Sequence, residues 1–518
     1  MDKGFDPVLL EVVRNALGAI TDEMGAALMR TGFSANIKER RDYSCALFDR
    51  KGREIAQGDH MPVHLGSMPE AVAAAMADCP MARGDVVVSN DPYRGGTHLP
   101  DITLIAPVFL GDSDTPEYYV ASRAHHADIG GATPGSMGMA TEIVSEGLRI
   151  PPVHLVREGA PVLDLLRVFT ANVRAPRERR GDLEAQMASL HVGEARLREA
   201  AGRFGGDVLS LYSETLLDYS EEMTRCALRR LTPGSYCFFD ALDGSIPIGV
   251  SVHVKREGEL YLDFSETADQ VEAPLNAPRA VTLSAVAYVV RCLAGSHAPW
   301  NAGALRAVET ITRPGTLLDA RPPAPVAGGN VETSQRVVDT LLGALSEALP
   351  EEIPAASQGT MNNLCLGGID AQGAQWAYYE TVAGGAGAGP RGPGEHGIHT
   401  HMTNSRNTPI EALEHSLPLR VHEYRLRYGS GGRGRHNGGS GVVRVIQSLE
   451  KARLTLLSDR RTTRPYGLAG GGEGASGSAS IEGADGSVTQ LEGRCEASLA
   501  PGDRIRIETP GGGGWGAA

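Results

Sequence analysis

Two short runs concentrate residues that could do chemistry. The first, Asn90-Asp91-Pro92-Tyr93-Arg94-Gly95-Gly96-Thr97-His98-Leu99-Pro100-Asp101, sets an imidazole three residues before a carboxylate in a segment pinned by glycines and Pro100. The second, Arg123-Ala124-His125-His126-Ala127-Asp128-Ile129-Gly130-Gly131, follows another apolar stretch in the same way. If the loops converge, His98, Asp101 and the His125-His126 pair provide the mixed nitrogen and oxygen donors that suit Zn²⁺, Mn²⁺ or Fe²⁺. An ion with an open position there would bring the pKa of bound water towards ~7 and polarise a carbonyl. His126 or Asp128 would then serve as general base or hold the reacting groups in place. The same residues equally make structural His–Asp hydrogen bonds, and convergence in space is what separates the two readings.

Other motifs carry less. His396, His399 and His401 form a second histidine group, with His399 and His401 expected on one face of an extended segment, as metal ligands, substrate contacts or structural histidines. Glu332-Thr333-Ser334-Gln335-Arg336 reads as a helix start with Ser334 as N-cap and Glu332 within reach of Arg336. Three G-x-G-x-x-G matches begin at Gly387, Gly429 and Gly472, but none follows a strand and opens a helix, so no helix N-terminus stands behind the glycines to hold a phosphate. A phosphate loop of the G-x-x-x-x-G-K-[ST] type and a G-x-S-x-G nucleophile elbow are both missing.

The elements that must position these residues follow from hydrophobic period. Leu9, Val12, Val13, Leu17, Ile20, Met24 and Leu28 predict an amphipathic helix from Phe5 to Met29. Tyr43, Cys45 and Leu47 alternate as a strand, and a turn at 49–52 leads into a second one at Glu54. A helix is expected over 68–76, and strands over 85–89, 102–109 and 118–122. The segment 182–231 reads as two helices broken at Gly205-Gly206, followed by strands at 236–241, 250–255 and 260–264 and helices at 281–293 and 334–349. From Gly429 onward, short strands alternate with Gly-rich turns. The expectation is an α+β chain with a helical segment in its first half and a Gly-rich antiparallel β region at its C-terminus. Its expected domains are 1–232 with the metal site, a mixed 233–428, and 429–518.

Composition narrows the partners. With 49 Lys+Arg against 63 Asp+Glu, the net charge of −14 and the lack of a basic block argue against nucleic acid and anionic membranes. No apolar run reaches the ~18 residues of a membrane span. Met1 to Asp6 shows no secretory pattern, so a cytoplasmic location is expected. The seven cysteines contain no C-x-x-C pair and read as buried reduced thiols. Glycine is in excess, 65 in 518 residues, about 12.5% against a usual ~7%, and 29 of the 65 fall between Gly384 and Gly516, where tight turns are expected.

Taken together, Glu39 to Asp49, Asn90 to Asp101, His125 to Gly131, Gly329 to Arg336, His399 to Glu414 and Pro510 to Gly516 resemble the hydantoinase B family, from about residue 6 to the C-terminus. That family includes the B subunit of ATP-dependent N-methylhydantoinase, the C-terminal half of 5-oxoprolinase, the caprolactamase B subunit and, more distantly, subunits of acetone and acetophenone carboxylases. The resemblance implies a metal held by Asp42, His98, Asp101 and His125. It also implies a separate hydantoinase A type subunit that carries ATP and Mg²⁺ and phosphorylates a cyclic amide, which this chain then opens in a hetero-oligomer. Asp42 enters only through the resemblance. Two other readings remain at this point: a subunit of an ATP-dependent ketone carboxylase, and a non-catalytic scaffold for the ATPase subunit.

Overall fold

The computed structural model describes residues 6–58 and 61–518; Met1 to Phe5, on which the N-terminal reading and the start of the first helix rest, lie outside them. The described residues form a mixed α+β fold, with four sheets and the longest helices in the first half. The helix Pro7–Thr31 buries Leu10, Val13, Leu17, Ile20, Met24 and Leu28 along one stripe, and Asp6 caps its first turn. It packs on Pro176–Phe204, the longest helix, which Gly205 separates from Gly206–Leu228. Among the described residues, no helix is long and apolar enough to cross a membrane.

The first sheet positions the chemistry. Its strands are β1 (Tyr43–Asp49), β2 (Glu54–Gln57), β3 (Val86–Ser89), β4 (Asp101–Val108), β5 (Tyr118–His125), β6 (Val153–Arg157) and β7 (Ala160–Pro161), ordered β2-β1-β5-β4-β3-β6-β7 and antiparallel throughout. β1, β4 and β5 are buried along their whole length, which explains their near-continuous apolar sequences. One face carries Val120 and Ala124 towards the long helices, and the other carries Tyr119 and Ala121 towards the helix Ser67–Asp78.

The second sheet, residues 234–263 plus 308–311, lies under the helices Arg279–Ala294 and Ser334–Ala348; its edge strand 308–311 forms the one parallel ladder among the named strands. The third joins 363–369 and 375–380 to 452–457 and 494–499, and so takes strands from both sides of residue 429. The fourth holds 419–427, 441–448, 478–482, 488–491 and 504–508.

Several local expectations change. Ser334 is not a side-chain cap: a π turn over Gly329–Thr333 precedes it, and its hydroxyl donates to the Asn330 carbonyl. Glu332 and Arg336 do not pair. Glu332 accepts from Met361 N and Asn363 Nδ2, while Arg336 bonds Asp240, Asp459 and the Ala241 carbonyl. No cysteine is bonded to another, but only Cys45, Cys79 and Cys365 are buried, whereas Cys226, Cys237 and Cys292 are exposed. The helix Leu163–Asn172 adds to the expected elements.

The C-terminal glycines are only partly turns. Much of 384–394, 430–440, 467–474 and 510–516 runs side by side outside the ladders. Gly385 N donates to Pro510 O, Gly432 N to Gly512 O, Gly512 N to Gly439 O and Gly514 N to Gly472 O. A Cβ on Gly438 would collide with the Gly512 carbonyl, one on Gly512 with the Ala386 carbonyl and one on Gly471 with the Gly514 carbonyl. Each segment touches backbone on more than one side, so most of these glycines serve close approach, while Gly470, Gly516 and the neighbouring Gly429 adopt positive φ.

Candidate metal centre

β4 and β5 pair Asp101 directly with His125, so both side chains leave the same face of the sheet at its end. A turn in which Asp101 N donates to the His98 carbonyl folds His98 back over Asp101. His98 Nε2, Asp101 Oδ1 and His125 Nδ1 then form a triangle with edges of 3.1, 3.0 and 3.1 Å. All three residues are buried. Among the described residues, this is the group of His, Cys, Asp or Glu side chains that could hold a metal ion.

The donors fit such an ion. Ligands at ~2.1 Å from a metal lie ~3.0 Å apart at neighbouring octahedral positions and ~3.4 Å apart in a tetrahedron, so the observed edges suit one face of an octahedron. His98 Nδ1 lies 3.3 Å from the Ala327 carbonyl; with the proton assigned there, Nε2 turns a lone pair to the centre. Asp101 Oδ2 is held separately, by Thr97 Oγ1 at 2.5 Å, His64 Nε2 at 3.4 Å and Asn330 Nδ2 at 3.5 Å, which leaves Oδ1 free to face the histidines. Asn330 Nδ2 also lies 3.1 Å from His98 Nε2. His125 Nε2 is buried with no hydrogen-bond partner, and Tyr379 stacks on the ring at 4.7 Å between centroids.

Electrostatics favour a charged site. Burial pushes Asp101 up, but the charge of His98 and hydrogen bonds from His125, His64 and His98 outweigh it and hold the carboxyl well below the usual range. His98 shows the mirror image: burial lowers it, yet the Asp101 charge leaves it raised. In His64 burial wins and the imidazole is pushed down, towards the neutral form.

Asp42 is buried nearby. Its carbonyl accepts from His125 N at 3.0 Å, its carboxylate lies 4.0 Å from Arg40 Nη2, and its charge acts on both His98 and His64. It does not join the triangle. His126 is the next residue after His125 and so points to the opposite face, where Nε2 meets Gln186 Oε1 at 3.0 Å and the ring meets the edge of Phe169. Asp128 braces its own loop, accepting from Gly130 N, Gly135 N, Arg174 N and Arg174 Nη1. His64, Thr97 and Asn330 complete the surroundings. Thr97 and Asn330 lie inside motifs quoted above without a role, while His64 has no flanking signal and arrives through the 3₁₀ turn Pro62–His64.

His399 and His401 are not presented together. His401 adopts φ +57°, which breaks the extended segment, and sits 3.4 Å from both Asp339 Oδ1 and Tyr288 Oη. His396 Nδ1 accepts from Ser440 N at the protein surface.

The chain belongs to the hydantoinase B/oxoprolinase family, whose sequence pattern matches residues 6–518. It is similar to 5-oxoprolinase of Dictyostelium discoideum, 37% identical over 99% of this chain, although it spans only 40% of that protein. A Pseudomonas sp. chain provisionally named as the B subunit of a D-/L-hydantoinase is 31% identical, over 99% of this chain and 90% of its own length. The crystal structure of ATP-dependent caprolactamase from Pseudomonas jessenii matches with a TM-score of 0.91 at 29% identity, covering 99% of this chain and 92% of that one.

Proposed function

We propose that this chain is the metal-bearing, ring-opening subunit of an ATP-dependent cyclic-amide hydrolase, acting on a lactam or hydantoin that a separate hydantoinase A type subunit, carrying ATP and Mg²⁺, has phosphorylated. The observation that carries this reading is the triangle of His98, Asp101 and His125, three buried ligand atoms within 3.1 Å of one another. The relatives supply the context: one is a longer 5-oxoprolinase of which this chain spans 40%, and another is named as a subunit.

His98, Asp101 and His125 would hold a Zn²⁺, Mn²⁺ or Fe²⁺ ion, with Asp42 as the adjoining carboxylate. Such an ion, when bound, acidifies water and polarises a carbonyl. The protein's own part is orientation. Ala327 fixes the His98 tautomer, and Thr97, His64 and Asn330 fix the Asp101 carboxylate. His126 and Asp128 act as positioning residues: the first ties the end of β5 to the helix Pro176–Phe204 through Gln186, and the second braces the loop that follows. Burial of the whole group excludes bulk water from the activated substrate.

The test is to purify the chain with its ATPase partner and measure metal content, ATP hydrolysis dependent on a cyclic amide, and the ring-opened product. Stoichiometric metal in the wild type and its loss in His98→Ala/Asp101→Ala supports the site. Equal, sub-stoichiometric metal in both would sink it. Labelled bicarbonate in the same assay separates hydrolysis from carboxylation, since fixed label would replace the ring-opened amino acid.

A further inference from the structure

Buried polar atoms without partners occur at the triangle and on elements packed near it. His125 Nε2 and Asn330 Oδ1 belong to the first group; Gln335 Oε1, Thr400 Oγ1 and both ring nitrogens of His399 are among the others. Asn330 lies in the π turn and Gln335 in the helix that follows. Gln335 Nε2 donates to the Thr400 carbonyl at 2.9 Å, which ties that helix to the histidine segment. On the other flank, Tyr379 stacks on His125 and Arg40 covers Tyr379 at 4.5 Å, with its charge acting on His399.

The segment is held for this arrangement. His401 keeps a left-handed backbone that a histidine seldom adopts, secured by Asp339 and Tyr288, so Thr400 and His399 are presented from a fixed turn. Buried donors and acceptors left unpaired are costly unless a ligand completes them. The set is also unusual in kind. Arg40, the nearby cation, is already committed to the Tyr379 and Arg406 carbonyls and to Thr381 and Ser405, so the open positions belong to neutral groups: two amide oxygens, a hydroxyl and two imidazoles.

We propose that these atoms line an internal subsite beside the triangle, in which His399 hydrogen-bonds the carbonyl of a neutral cyclic amide or ureide and Gln335 Oε1 accepts from its ring N–H. The proposal rests on the functional reading above and adds the residues that recognise the ring. Paired donor and acceptor positions are what an amide presents, and a site that leaves them unpaired discriminates against rings lacking them.

Direct binding of hydantoin, 2-pyrrolidone and caprolactam to the full-length chain, by titration calorimetry, tests it together with metal analysis. His399→Ala is expected to weaken binding at least tenfold with metal content unchanged, and His399→Asn, which keeps a donor and an acceptor, to recover part of the loss. With the ATPase partner, KM should rise more than kcat falls. Failure of all three rings to bind the wild type, or equal affinity in wild type and both variants, would overturn the subsite. Turnover with a KM insensitive to His399 would remove the subsite and leave the hydrolase reading standing. Binding that depends on His399, without ATP-dependent ring opening, would do the reverse.

Discussion

The end of the first sheet and the glycine segments of the C-terminal third are both closely packed, yet they are specified in opposite ways. At the sheet end, backbone geometry is ordinary and side chains do the work: β4 and β5 pair in simple register, and the function resides in which residues stand at Asp101 and His125. Among the glycines the side chain is removed so that backbones can approach, and hydrogen bonds such as Gly512 N to Gly439 O hold the segments together. The comparison separates two kinds of fragility. A substitution in the first region should cost chemistry and spare the fold, whereas one in the second should cost the fold and spare the chemistry of whatever remains folded.

The largest expected effect is in the first region. His98→Ala/Asp101→Ala should abolish metal retention and lower ring-opening activity ~10³-fold or more, since a Lewis-acidic ion contributes several kcal/mol to such a reaction. The urea midpoint should hardly move, because the variant also removes a buried charge that has to be compensated. Unfolding of this variant would mean that the triangle is a structural staple, and the contrast between the regions would fail.

Next comes Gly512→Ala. Its added methyl meets the Ala386 carbonyl, and that backbone cannot rotate away as a side chain can. A loss of about 3 kcal/mol is expected in urea unfolding. Metal per folded molecule should stay at the wild-type value. A neutral result would show that the segments slide, and that their glycines serve flexibility instead of close approach.

Glu332 flanks the first region, being in the π turn two residues from Asn330 and bonded to Met361 and Asn363 at the start of the third sheet. Burial pushes its carboxyl up to about 8, against hydrogen bonds from Thr360 and Met361 that favour the charged form. The folded protein therefore holds this proton where the unfolded chain, titrating near 4.5, has released it. The contribution of Glu332 is most favourable below about 4.5 and is lost as pH rises towards 8. Glu332→Gln should flatten that slope and gain up to a few kcal/mol at pH 8, read from urea unfolding at several pH values. An unchanged slope would mean that Glu332 is ionised in the native state.

How far the sequence exposes each region follows from the same contrast. His98, Asp101 and His125 are recognisable because residue type and short spacing carry the information, and the strands around them are apolar and regular. His64 is not, because its place near Asp101 depends on a fold over 37 residues that no local pattern encodes. The strands and most helices are visible from period alone. The glycines are visible as an excess but read only in part correctly as turns, since spacing along one segment says nothing about which carbonyl of another segment it must admit. The π turn is hidden for a related reason: Ser334 has the composition of a cap, and only the distant partners of Glu332 and Arg336 reveal a wider turn.

His126 gives the smallest and most discriminating test. A β5 that ended at Ser122, as its apolar run suggests, would leave His125 and His126 both in a loop, free to face one centre. The strand instead runs to His125, and its two-residue period turns His126 to the far face. His126→Asn should cost about 1 to 3 kcal/mol of stability, because Gln186 Oε1 loses a buried donor. Metal content and the pH profile of kcat should remain those of the wild type. If instead the acid or base limb of that profile disappears while stability holds, His126 exchanges a proton with the reacting groups, and the sheet's two faces are not as separate in function as they are in geometry.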